Sequence, residues 1–345
     1  MNLEVKEITL DVLIKKLEEH FEKEKKIDNV KYPRCLLQSL KQLTEIVGGK
    51  KLKNSIARQT WYLINYQDKG NFPILNTCLY GDPGTGKTTI AVIIAKIWTS
   101  IGILDKTNSF WDHIKQSSYL CYKRGNLSEY IYFIFVWYII ISSFIMKFIE
   151  NFKLGFLSGF IILVGVIILI LYCYYLKEIY LGGYSYVKQM QKWEDGSEKD
   201  IETDKILKIF SREDFISGYL GQTAIKTKNL LYNNFGKVIF LDEAYSLYNG
   251  DHDMYGIEAL TEINQFMSEN KENILFIFAG YEKKINKGIF KAQPGLPRRF
   301  GWHFRIDEYT YRELYQILEQ KLNKINIEIE DPEECKKLIK NNFKY

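Results

Sequence analysis

An α/β fold, a parallel sheet flanked by helices, is what three features of this 345-residue sequence predict. The first is the stretch Gly81-Asp82-Pro83-Gly84-Thr85-Gly86-Lys87-Thr88, which fits the pattern G-x-x-x-x-G-K-[ST]. The second is its setting. Ile74, Leu75, Cys78, Leu79 and Tyr80 lead into it as a strand, and Ile90-Ala91-Val92-Ile93-Ile94-Ala95 lead out as a helix. The third is Val238-Ile239-Phe240-Leu241-Asp242-Glu243, a continuous apolar run that ends in two acids. A strand buried on both faces of a parallel sheet reads this way, and ligands bind at its carboxyl end in such folds.

The other elements follow in chain order. From Ile8 to Lys26 the residues Val12, Leu13, Leu17 and Phe21 recur at helical spacing among lysines and glutamates, which predicts an amphipathic helix. Cys35 to Ile46 reads as a second helix stopped by Gly48-Gly49, and Lys53 to Tyr66 as a third. The hydrophilic stretch Trp193–Asp200 reads as a linker, after which Ile206-Leu207-Lys208-Ile209-Phe210 resumes the sheet. Tyr311 to Lys324 and Pro332 to Asn341 read as two helices of a short C-terminal lid. The domain organisation expected is an N-terminal helical segment (1–47), a first part of the core (48–107), an insertion (108–203), a second part of the core (204–307) and a partial helical lid (308–345).

Composition narrows the function classes. With 46% hydrophobic and 26% charged residues the chain has a globular core. The net charge of +5 comes from lysines scattered among nearly as many acids, without a basic stripe, so a nucleic-acid partner is not indicated. Five well-separated cysteines and four isolated histidines show neither C-x-x-C nor H-E-x-x-H spacing, which argues against a zinc site or a disulfide framework and suits a reducing compartment. The segment Met1–Val5 does not begin a secretory signal. No internal repeat is visible.

The phosphate-loop spelling has a physical basis. Glycines let the backbone curl so that successive N–H groups face an anion, and the helix starting there adds the positive end of its dipole. A nucleoside triphosphate with Mg²⁺ is the expected ligand. Gly81, Pro83, Gly84, Thr85 and Gly86 would wrap the phosphates, with Thr89 beside them, Lys87 on the β and γ phosphates and the Thr88 hydroxyl on the metal. Asp242 would hold the same Mg²⁺ through its water shell, and Glu243 would polarise the attacking water.

The expected insertion contains two long uncharged runs, Tyr130–Met146 and Leu154–Leu176, joined by Lys147-Phe148-Ile149-Glu150-Asn151-Phe152-Lys153. At ~1.5 Å per residue they reach roughly 25 and 35 Å, against a hydrocarbon core of ~30 Å. Lys147 can snorkel and extend the first, so transmembrane helices are expected at about 130–149 and 154–176. Both flanks rejoin one domain, which requires an even number of crossings. Lys115, Lys123, Arg124, Lys177, Lys188 and Lys192 outnumber Lys147 and Lys153, so the flanking domain is expected to face the cytoplasm.

Ser211-Arg212-Glu213-Asp214-Phe215, Gly218-Tyr219-Leu220-Gly221-Gln222-Thr223-Ala224, Phe240-Leu241-Asp242-Glu243-Ala244-Tyr245-Ser246-Leu247, Ala279-Gly280-Tyr281 and Pro294-Gly295-Leu296-Pro297-Arg298-Arg299-Phe300 share an order and spacing with a known group. Through them the chain resembles the AAA+ ATPases, a class of P-loop NTPases, in the branch containing red-type rubisco activase and stage V sporulation protein K. The resemblance covers roughly residues 40–107 and 204–324. It implies ATP with Mg²⁺, a homo-oligomeric ring, a hexamer, and a protein substrate. It also implies a pore loop at Tyr219, Leu220 and Gly221, an arginine finger at Arg299 with Arg298 beside it, and an adenine border along Glu45–Lys53. Ala279-Gly280-Tyr281 stands, as in the resembled branch, where many AAA+ proteins carry a sensor asparagine, and the later lid helix with its second sensor arginine has no match. The resulting expectation is a membrane-anchored AAA+ ATPase that remodels or pulls a protein partner; the alternative is a tethered, weakly hydrolysing ATP-binding scaffold.

Overall fold

The computed structural model describes residues 8–66, 73–104, 189–219, 221–270 and 274–342. The two expected membrane spans at 130–149 and 154–176, and Leu220, lie outside these residues. Among the described residues no helix is long and apolar enough to cross a membrane.

Five short strands form the centre: β1 (Thr77–Tyr80), β2 (Leu207–Phe210), β3 (Val238–Leu241), β4 (Leu275–Gly280) and β5 (Trp302–Arg305). They lie in the order β2-β3-β4-β1-β5, and every pairing is parallel. All residues of β1, β3 and β4 are buried, as expected of strands covered on both faces. At the edge, β2 is less covered: Leu207 is buried, Lys208 and Phe210 are half-buried, and Ile209 is exposed.

The helices used below are α1 (Leu10–Glu24), α2 (Pro33–Glu45), α3 (Lys50–Asn65), α4 (Lys87–Ile101), α5 (Gln222–Tyr232), α6 (Met254–Glu269), α7 (Tyr311–Lys324) and α8 (Pro332–Asn342). The apolar stripe of α1 buries Leu10, Leu13 and Leu17. Against α4 packs α2, and α4 is apolar on nearly every side, burying Ile90, Ile93, Ile94, Ile97 and Trp98. A helix buried all round cannot be placed by a polar face, so its neighbours fix it. Thr310 and Glu313 form a reciprocal capping box at the start of α7, which explains its sharp beginning. Cys35 and Cys78 are free and buried, and burial pushes the Cys78 thiol up to about 12, which makes it chemically inert.

The stretch Trp193–Asp200 departs from the expected linker. Residues 190–195 are helical, and Trp193 is fully buried. The Glu194 carboxylate accepts from the backbone N–H groups of Arg34 and Cys35, both at 3.0 Å, and so caps α2 where Pro33 opens it. Lys96 of α4, with only 6% of its side chain exposed, donates to Asp200 at 2.6 Å and to Gln42 at 3.0 Å. Its ammonium also lies 5.8 Å from the centre of the Trp193 ring. A charge this buried demands partners, and the acids that make the stretch look hydrophilic supply them.

Trp193→Ala should therefore cost about 3–5 kcal/mol of stability by urea unfolding, the usual loss for a buried aromatic. A loss within ~0.5 kcal/mol, typical of surface positions, would mean that the segment does not belong to the core.

Candidate nucleotide site

Parallel strands send their carboxyl ends to one edge, and most of the residues expected to carry chemistry emerge there. Residues 81–86 connect β1 to α4. Gly84 and Gly86 have φ of +77° and +84°, a region that disfavours any side chain. A Cβ on Gly81 would lie 2.9 Å from the Thr85 hydroxyl oxygen and 3.2 Å from Cβ of Ile306, so the loop can fold against β5 only with glycine there. The Thr85 hydroxyl donates to the Asp82 carbonyl at 2.7 Å and braces the curl.

Gly86 occupies the cap position of α4, and no side chain accepts from the first amides of that helix. Unpaired amides at the positive end of a helix dipole suit an anion. Lys87 is buried, and its ammonium donates to the carbonyls of Gly81 at 3.1 Å and Asp82 at 2.7 Å. Thr88 is half-buried, and Pro83, Gly84 and Thr89 are exposed. This loop fits a polyphosphate on its own chemistry: a cation, a helix N-terminus, and glycines where side chains would obstruct.

At the end of β3, the Asp242 amide donates to the Phe210 carbonyl at 3.3 Å, and one Asp242 carboxylate oxygen accepts from the Glu243 amide at 3.0 Å. Glu243 is exposed and has φ +46° and ψ +47°. A non-glycine residue in this left-handed region costs on the order of 1–2 kcal/mol, which the surrounding loop must offset. Glu243 Oε2 accepts from the Tyr245 hydroxyl at 2.5 Å. Burial, then the bond to Glu243, pushes the Tyr245 phenol well above its ordinary range and keeps it a donor.

The loop after Glu243 is anchored by Arg212. Its guanidinium donates to the carbonyls of Ser246 and Leu247, both at 2.9 Å, and forms a two-pronged pair with Asp253 at 2.6 and 2.9 Å. Asp253 also accepts from the amides of Asn249 at 2.9 Å and Gly256 at 3.0 Å, the latter as the cap of α6. Burial works to raise the Asp253 pKa, but Arg212 and the two amides together hold it below the ordinary aspartate value.

Beside the loop, Ile46, Val47, Leu52, Ile90, Ile306 and Tyr309 line a shallow, open depression. Its apolar walls suit a planar base. Tyr309 donates from its hydroxyl to the Thr85 carbonyl at 3.0 Å, tying the entry to α7 to the loop. Ile306 and Tyr309 were not among the expected site residues. No local sequence pattern marks them, because they sit just past β5 and reach the loop through its pairing with β1.

Arg299, Tyr219 and Gly221 lie elsewhere. Arg299 precedes β5, at the amino-terminal edge of the sheet, where its carbonyl accepts from the Asn76 side chain at 3.0 Å. It is half-buried, and its Nε is buried with no partner among the described residues, whereas Arg298 is exposed. Tyr219 stands 78% exposed in the loop before α5, and Gly221 caps that helix with φ +77°.

Taken together, the strand order, the loop between β1 and α4 and the acids ending β3 describe a P-loop α/β core. The chain is similar to a chloroplastic ribulose bisphosphate carboxylase/oxygenase activase of Cyanidioschyzon merolae, 39% identical over 124 residues, which are 36% of this chain and 40% of that protein. It is also similar to a CfxQ homolog of Cyanidium caldarium, 40% identical over 108 residues (31% of this chain and 37% of that one). The protein CbbX of Cereibacter sphaeroides is 35% identical over 120 residues (34% and 38%). These homologues are AAA+ ATPases of the red-type rubisco activase group. The matches thus span well under half of the length of these curated relatives. No family model matches the chain.

A depressed carboxylate pKa stabilises the fold above the unfolded value near 3.8, and the contribution fades as pH falls through the lower native value. Asp253→Asn should cost about 2–3 kcal/mol at pH 7, the range for hydrogen bonds to charged groups, and should flatten the loss of stability below pH ~4. Urea unfolding at several pH values checks both. An unchanged acid profile would contradict the role given to Asp253.

Proposed function

We propose that the chain is a Mg²⁺-dependent ATP hydrolase of the AAA+ kind, which assembles into a homo-oligomeric ring, a hexamer, and works on a protein partner. The observation that carries this reading is the emergence of the Gly81–Thr88 loop and of Asp242-Glu243 at one edge of a parallel sheet. Gly81, Pro83, Gly84, Thr85, Gly86, Lys87, Thr88 and Thr89 bind the triphosphate, and the pocket at Ile46, Val47 and Ile306 takes the base. Thr88 and Asp242 hold Mg²⁺, which when bound neutralises charge on the phosphates. Glu243 orients the attacking water and draws on its proton.

Arg299 lies at the opposite edge from the loop of its own chain, which favours a role toward a neighbouring subunit. A guanidinium presented in trans makes turnover depend on assembly. Tyr219, with Leu220 and Gly221, grips an extended polypeptide in the ring opening; the exposure of Tyr219 supports this. Some relatives are named for ribulose bisphosphate carboxylase/oxygenase, and a protein client of this chain is inferred by that likeness. The two uncharged runs at about 130–149 and 154–176 anchor the chain in a membrane as a hairpin, with the ATPase facing the cytoplasm. That part rests on the sequence.

The test is ATP turnover by the whole chain in detergent. Glu243→Gln should lower kcat by roughly 10²–10⁴-fold, the range for general acid–base groups, while retaining nucleotide binding. Arg299→Ala should lower it by about 10³-fold or more, as other arginine fingers do, and mixing that chain with Lys87→Ala chains should restore part of the activity. Wild-type turnover no higher than that of Glu243→Gln, in an assembled oligomer, would overturn the hydrolase reading.

A further inference from the structure

β4 ends on a glycine, and its surroundings explain why. Gly280 has φ +150°, and a Cβ there would lie 2.9 Å from Cδ1 of Tyr245. The absent side chain is the space that the Tyr245 ring fills. The ring is also met by Lys284, whose ammonium sits 4.4 Å from the Tyr245 centroid and 4.8 Å from that of Tyr281. Tyr245 and Tyr281 lie 5.8 Å apart, so glycine, lysine and second ring together fix the phenol in place. From there its hydroxyl reaches Glu243 Oε2 at 2.5 Å.

Glu243 needs such a partner. It is exposed, its backbone is already forced into the left-handed region, and its side chain has several rotatable bonds. A short hydrogen bond from a phenol to a carboxylate is among the strong ones and is directional. It engages one carboxylate oxygen and leaves the other to a water.

Resting on the hydrolase reading above, we propose that Tyr245 is the positioning residue for Glu243, and that Gly280 is a glycine so that the Tyr245 ring can occupy that place. Tyr245 does not touch the reacting atoms; it sets the rotamer of the group that does. The end of β4 thereby acts on the water-orienting carboxylate through a side chain borrowed from the loop after β3.

The test uses Tyr245→Phe in the whole chain, since phenylalanine keeps the ring and removes only the hydroxyl. Turnover should fall about tenfold, a modest share of what a general base supplies, with KM for ATP within about twofold. Affinity for a fluorescent ATP analogue, read without turnover, should stay within about twofold of wild type. In nucleotide-free protein, Tyr245→Phe should lower Tm by about 2–4 °C, but by less than ~1 °C when Glu243→Ala is already present. Gly280→Ala, which displaces the ring, should reproduce the loss of kcat. Unchanged kcat, a fall in analogue affinity matching the fall in kcat, or an equal Tm loss in both backgrounds would each overturn the proposal. If Glu243→Gln itself kept full turnover, the hydrolase reading would fail; if that variant is inactive and Tyr245→Phe is not impaired, only the positioning role fails.

Discussion

The parallel register of β3, β4 and β1 is the constraint on which the rest of the structure depends. Leu241 pairs with Phe278, and Tyr80 pairs with both Gly280 and Arg305. Because the strands run the same way, the chain leaves Tyr80 into the glycine loop, leaves Leu241 into Asp242-Glu243 and leaves Arg305 into Ile306, all on one edge. Close side-chain packing on both faces holds the register in place. Val238, Ile239, Phe240, Leu241, Ile277 and Phe278 are all fully buried, and each such side chain contributes roughly 1.5–3 kcal/mol relative to exposure. Slipping a strand by one residue would turn these side chains to the opposite face and shift the acids away from the loop.

On that edge, local devices set the geometry. Glycines at 84 and 86 allow the loop to curl, and Gly81 allows it to lie against Ile306. Arg212 ties the segment after Glu243 to the start of α6 through Asp253, so an unfavourable backbone at Glu243 persists. Tyr309 fastens the beginning of α7 to the Thr85 carbonyl, which couples that helix to the loop. The segment at 190–201 is fastened to the same helix that begins at Lys87, through Lys96 and Asp200.

Much of this was legible in the sequence for identifiable reasons. The glycine-lysine loop with its flanking apolar runs, and the run ending at Asp242-Glu243, are local patterns, and β1, α4 and β3 lie where those patterns place them. The segment Leu207–Phe210 and the helices of 10–24, 33–45 and 50–65 are legible from apolar periodicity, with ends that differ by a few residues. Trp193–Asp200 misleads because its acids are consumed by the backbone of α2 and by Lys96, uses that composition cannot reveal. Trp302–Arg305 is too short and mixed to announce a strand, so the approach of Ile306 and Tyr309 to the loop depends on a pairing across more than 200 residues. The reason for Gly280, the Tyr245 ring, is a tertiary contact that no local pattern announces.

The central claim is that the edge built from Gly81–Thr88 and Asp242 binds Mg²⁺-ATP. Isothermal titration of the whole chain in detergent, with ATP in the presence and absence of Mg²⁺, tests it most directly. The account predicts saturable binding at one site per chain, at least about tenfold weaker without Mg²⁺ and lost in Lys87→Ala while the fold is retained. Absence of binding, or equal affinity in wild type and Lys87→Ala, would contradict it.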